Sequence, residues 1–269
     1  MNTKTLLTMA IAIIAIAGSS AYAQMSDSMM SDNNMKPKSM SKKNGGMKTK
    51  TTAAATKFTV RVENISNPEG MTASDGTKFP FALSPGMFVL SVRKGVLFTE
   101  GKPARANGLE MQAEDGDPSG LVKSLEAMHH ATNLHGVFNT PLNVMAAGPI
   151  RPGESYEYTL NATPGMKFFT TMMFGQSNDC FYAPDANGIA LFDAKGNPIS
   201  GDVADQLVLW NAGTEVDEEI GIGPNQGPRQ KGMNTGAAEN GVVRRVKDAR
   251  WTGKNAQFFR ITITPQPAM

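Results

Sequence analysis

Phe58-Thr59-Val60-Arg61-Val62-Glu63-Asn64 sets apolar and polar residues in alternation, the period of a strand with one face in a core. At the far end of the chain, Phe258-Phe259-Arg260-Ile261-Thr262-Ile263-Thr264 repeats the pattern in β-branched residues, and Pro265 stops it. First and last strands of this kind are expected to pair. Between them, residues 87–92, 155–160, 167–175, 189–192 and 205–210 read as further strands. Residues 191–199 read as a hairpin turn in which Gly196 takes a positive φ.

One stretch breaks the β pattern. Within 118–128, Leu121, Val122, Leu125 and Met128 fall at helical spacing, and Ser119 is the expected N-cap. Residues 221–241 are rich in Gly, Pro and Asn and show no period, so a functional or internally tied loop is expected there. Short strands with one inserted helix make the fold class mostly β, an antiparallel β-sandwich with a short inserted helical segment.

The N-terminal residues read differently. Lys4, an apolar run from Leu6 to Ala17 and the small-x-small Ala21-Tyr22-Ala23 form the pattern of an export signal over 1–23. The run is too short for a comfortable membrane span. The protein is therefore expected to be periplasmic or secreted. Residues 24–56 hold six Met and six Lys but no aromatic residue, Leu, Ile or Val, which predicts a disordered tether. The sandwich domain is expected over 57–265.

Charge divides at the same boundary. Setting aside Lys4 and the tether leaves 19 basic against 22 acidic residues, so the pI near 8.6 belongs to the tether. No basic stripe marks the domain for nucleic acid. Cys180 is the only cysteine, so no internal disulfide is expected and core burial must hold the domain.

Two segments carry the chemistry. Ser177-Asn178-Asp179 follows the apolar run ending at Phe174, and Asn211-Ala212-Gly213-Thr214-Glu215 follows the run ending at Trp210. If the strand ends lie side by side, their loops gather hard oxygen ligands at one sheet edge, which is Ca²⁺ chemistry. Gly213 lets the second loop turn sharply enough to face the first. The alternative is that Asp179 and Asn211 bond backbone amides as Asx-turns do.

The chain resembles the spondin domain family (spondin_N) in its bacterial exported form. The resemblance rests on Ser177-Asn178-Asp179, Gly188-Ile189-Ala190-Leu191-Phe192-Asp193, Lys195-Gly196-Asn197-Pro198, Trp210-Asn211-Ala212-Gly213-Thr214-Glu215, and the run from Gln230 to Val243. It implies a C2-like sandwich and adhesion or recognition work outside the cell. It also implies a metal site at Asp179 and Asn211, with Glu157 as the matching acid on a preceding strand. Asn211 stands where the family carries Asp; one negative charge fewer implies weaker calcium binding. Glu215, four residues past Asn211, is a further candidate ligand.

Other motifs offer less. His129 and His130 are adjacent on an expected helix end and point about 100° apart, a poor pair for one metal; His135 is the third histidine. The glycine-rich run 221–227 lacks the strand and helix that aim amides at a phosphate. No nucleophile, base and orienting acid stand in a recognisable order. The expected function is thus an exported, non-enzymatic recognition module that binds Ca at its edge loops and meets a protein or glycan partner. The alternative is a periplasmic metal-handling protein whose tether thioethers (Met25, Met29, Met30, Met35, Met40, Met47) capture Cu(I).

Overall fold

The structure, a computed structural model, describes residues 54–105, 107–128 and 134–267. The expected leader, the tether through residue 53 and the histidines at 129 and 130 lie outside the described residues.

The strands run in the order β1 (Thr56–Asn64), β2 (Met71–Thr72), β3 (Lys78–Phe79), β4 (Leu83–Ser91), β5 (His135–Phe138), β6 (Ser155–Ala162) and β7 (Lys167–Phe174). They continue with β8 (Cys180–Pro184), β9 (Ile189–Ala190), β10 (Gly201–Asp202), β11 (Leu207–Asn211), β12 (Arg244–Arg245) and β13 (Phe259–Pro265). Helices α1 (Leu109–Glu114) and α2 (Ser119–Ala127) lie between β4 and β5, and α3 (Asn255–Phe258) leads into β13.

One sheet has the order β10-β13-β1-β6; the other runs β12-β11-β8-β7-β4-β5, with β9 joined to β7. The first and last long strands pair as expected, antiparallel from Phe58↔Pro265 to Asn64↔Phe259. The alternation at the ends of the domain now has a cause. Phe58, Val60, Val62, Phe259, Ile261 and Ile263 all turn inward and pack with Phe168, Met172, Phe174, Tyr182 and Leu209 of the larger sheet. Their polar neighbours, Arg61 and Glu63 among them, make surface ion pairs.

The larger sheet is covered on its other face too. Met87, Val89, Phe169, Phe181 and Trp210 form a second core with Leu109 and Ala113 of α1 and Leu121 and Leu125 of α2. Strands covered on both faces lose alternation. β8 is buried at every position and β7 at all but its first, and Cys180-Phe181-Tyr182-Ala183-Pro184 escapes a search for period two. Trp210, 1 % exposed, donates its ring N–H to the Ala183 carbonyl at 3.0 Å.

The inserted helix lies where its spacing predicted, but its cap is different. Ser119 is the first helical residue and its hydroxyl caps nothing; the Asp117 carboxylate accepts the Ser119 N–H at 2.8 Å instead. The hairpin at 191–199 forms as read, with φ 85° at Gly196 and the Asp193 carboxylate accepting the Lys195 and Asn197 amides. The 221–241 loop is tied down: Gln230 and Asn234 bond Asp115, and the Gly236 amide bonds Glu215.

Candidate metal centre

β8 and β11 are antiparallel neighbours with Asn211 opposite Cys180. That register sets Asp179, the residue before β8, beside Asn211, the last residue of β11. The neighbour of β11 is the strand that follows the Ser177-Asn178-Asp179 turn, not the one that leads into it. The turn itself is fixed by Ser177, whose hydroxyl donates to the Phe174 carbonyl and accepts the Cys180 amide.

The Asn211 side-chain amide nitrogen is the hub of the group. It donates to Asp179 Oδ1 at 2.6 Å and to Asp217 Oδ1 at 2.7 Å. Asn211 Oδ1 accepts the Gly213 amide at 2.8 Å, so this residue does form an Asx-turn. Gly213 makes the turn possible: its φ is 70°, and a Cβ there would stand 2.6 Å from the Val242 backbone. Asp179 Oδ2 takes the Thr214 and Glu215 amides at 3.1 and 3.4 Å. Arg244 holds the outer side, 3.2 Å from Asp217 and 2.9 Å from Glu239.

Asp179 is fully buried. Burial pushes its carboxyl up to about 7; the Thr214 and Glu215 amides oppose the shift, as does the Arg244 charge, while the Asp217 charge adds to it. Asp217 is exposed and opens the group to a cleft of about 690 Å³ that Asn178, Arg244 and Arg245 also line. Burial pushes the Cys180 thiol well above its usual range, and the Asp179 and Asp217 charges add to this. A thiol so placed is a poor nucleophile and a small hydrophobe beside the carboxylates.

The other candidates fall elsewhere. Glu157 lies in β6 of the smaller sheet, opposite Arg61 in β1 and 3.5 Å from its guanidinium, so it does not join Asp179 and Asn211. The pairing with Arg61 faces solvent, the outer half of the β6 alternation. Glu215 contributes its backbone amide to Asp179, but its side chain turns away and accepts the Gly236 amide. Asp217 joins the group in their place. An acidic run, Glu215 to Glu219, follows the Asn211 turn in the sequence and was the available signal.

The donor set suits a hard cation: two carboxylates converge on one point, and an amide oxygen lies on the same side chain as the bridging nitrogen. Among the described residues no three His, Cys, Asp or Glu side chains come together for a metal, so the set is two acids and one amide. In this geometry the Asn211 NH₂ does the work of a cation, donating to both carboxylates. A metal would have to displace it, with the Asn211 amide turning over to present its oxygen.

No known family model matches the chain, and no curated protein is similar to it at a significant level. None of the described helices is long and apolar enough to cross a membrane.

Proposed function

We propose that this protein is an exported, non-enzymatic recognition module of the spondin type, in which a divalent cation at Asp179, Asn211 and Asp217 stiffens the loops that meet a protein or glycan partner. The observation that carries the reading is the 2.6 and 2.7 Å approach of one Asn211 nitrogen to two carboxylates from separate loops. Like charges so close need a counter-charge or a proton. Arg244 meets Asp217 on the outer side, and calcium would supply the counter-charge at the buried Asp179 in an exported setting, where it is plentiful. The adjoining cleft offers a partner the Arg245 side chain stacked 4.6 Å over Trp210, and Arg250 over Trp251 at 5.4 Å. The rings are buried beneath them, so what faces the cleft is the two guanidinium groups, which suit carboxylate and hydroxyl groups of a partner.

Calorimetric titration with calcium, followed by binding to a glycan panel in calcium or chelator, tests the reading. Calcium binding and calcium-dependent retention, both weakened in Asp179→Asn, are expected. Wild-type protein that gives no heat with millimolar calcium, or that binds the same glycans equally in chelator, would reject it.

A further inference from the structure

On the far side of the Asn211-to-Glu215 turn lies a second set of oxygens. Glu114 ends α1 and is 2 % exposed, yet neither of its carboxylate oxygens has a hydrogen-bond partner among the described residues. Glu215 is 3 % exposed; its Oε1 accepts the Gly236 amide, the Asn178 side chain lies beside the carboxylate, and Oε2 has no partner at hydrogen-bond geometry among the described residues. The Thr214 hydroxyl, 1 % exposed, is likewise unpartnered. Buried polar atoms of native proteins are almost always paired, so four orphans in one place point to a small species that satisfies them.

The three residues face one another. The Glu215 charge acts on Glu114, and the Thr214 hydroxyl lies beside the Glu114 carboxylate without reaching hydrogen-bond geometry. Every charge that bears on Glu114 is acidic: Glu215, Glu110 and Asp115. Arg105 is taken by Glu110 at 2.7 Å and by the Thr214 carbonyl at 2.6 Å, while Arg151 and Arg229 line the cavity that Glu114 and Asp115 also reach. The 230–238 segment closes over the set, because Gln230 and Asn234 bond Asp115 and the Gly236 backbone packs directly on the Glu215 carboxylate. A side chain at 236 would collide with that carboxylate, so the loop is shaped around it.

A proton on Glu114 would balance the count, its O–H and the Thr214 hydroxyl serving its other oxygen and Glu215 Oε2, but it would leave the buried Glu215 charge in place. An ion coordinates all of them at once, and two carboxylates neutralise two positive charges. We infer that Glu114, Glu215 and Thr214 form a second divalent-cation site, enclosed by the 230–238 loop and separate from the Asp179 group. Glu114 supplies both oxygens, Glu215 supplies Oε2 and Thr214 its hydroxyl, an all-oxygen set suited to calcium. The two sites would share one turn: Thr214 and Glu215 give their amides to Asp179 and their side chains to the second ion.

Terbium luminescence and calcium calorimetry on the full chain give the test, with stoichiometry as the readout. Two cations per chain are expected for wild type, one for Glu114→Gln and one for Asp179→Asn. Gln keeps the volume of Glu; if Glu114→Gln does not fold, as judged by near-ultraviolet dichroism, Glu215→Gln carries the same expectation. Full stoichiometry in a folded Glu114→Gln or Glu215→Gln variant would overturn the site. So would a wild type that binds a single cation lost in Asp179→Asn. A wild type that binds one cation, lost in Glu114→Gln but kept in Asp179→Asn, would uphold this site and reject the first.

Discussion

Asn211 holds two carboxylates together with one amide nitrogen, and the charge it lacks sets the behaviour of the group. Replacing it by Asp removes the two donated hydrogen bonds and brings a third acid against Asp179 and Asp217. In chelator, Asn211→Asp should lose about 3 kcal/mol, the scale for an uncompensated buried charge. In calcium it should recover most of that and bind the ion more tightly than wild type. Chemical denaturation with and without calcium measures both; equal losses in the two conditions would contradict the assignment.

Asp179 makes a pH-dependent contribution of defined sign. Its folded-state pKa is raised to about 7 from an ordinary 3.8. Below about pH 4 the group is protonated in both states, and the folded protein keeps its full stability. Between about 4 and 7 the unfolded chain ionises first, so the contribution falls as pH rises, by roughly 4 kcal/mol in all. Glu114, raised from 4.5 to about 7 mainly by burial, adds a loss of the same sign. Asp179→Asn should therefore gain on wild type as pH rises across this window in chelator. A gap between the two melting curves that is the same at pH 4 and pH 7 would contradict it. Asp179 and Asn211 were legible as a pair because each follows an apolar run. Asp217 was not, since an exposed acid in a charged run gives no sign of which way it faces.

At the level of elements, local chemistry and tertiary burial divide the outcome. The helix α2 was legible from its spacing, but Ser119 falls inside it: Pro118 holds the N-cap position, and the Asp117 carboxylate just before it accepts the Ser119 amide. Asp117→Ala should cost about 1 kcal/mol and Ser119→Ala close to nothing, read by urea denaturation; the reverse order would restore the serine cap. β8 was missed for a different reason. Its five residues are all buried between the sandwich core and the helical layer, and no alternation survives such burial. This omission also misassigned the neighbour of β11, although the loops still meet. α1 was missed because six residues hold too few turns to show a period.

For the molecule as a whole, the terminal strands β1 and β13 announced the sandwich, since each keeps one face in water. Of the helical layer behind the larger sheet, only α2 was legible, and its spacing did not say which face it covers. The layer places Glu114 behind the Asn211-to-Glu215 turn, and so brings a distant helix up to the candidate site. With no disulfide to hold them, the loops at this end rest on hydrogen bonds to Asp179, Asp115 and Glu215. An ion bound only by the native state adds stability by mass action, about 2.7 kcal/mol at a hundredfold excess over Kd. In a domain of this size each kcal/mol moves the melting temperature by about 2–4 °C. The decisive measurement is thermal unfolding of the chelator-treated protein with millimolar calcium restored. A rise of several degrees that shrinks in Asp179→Asn is expected; an unchanged melting temperature, or an equal rise in the variant, would contradict a cation at Asp179.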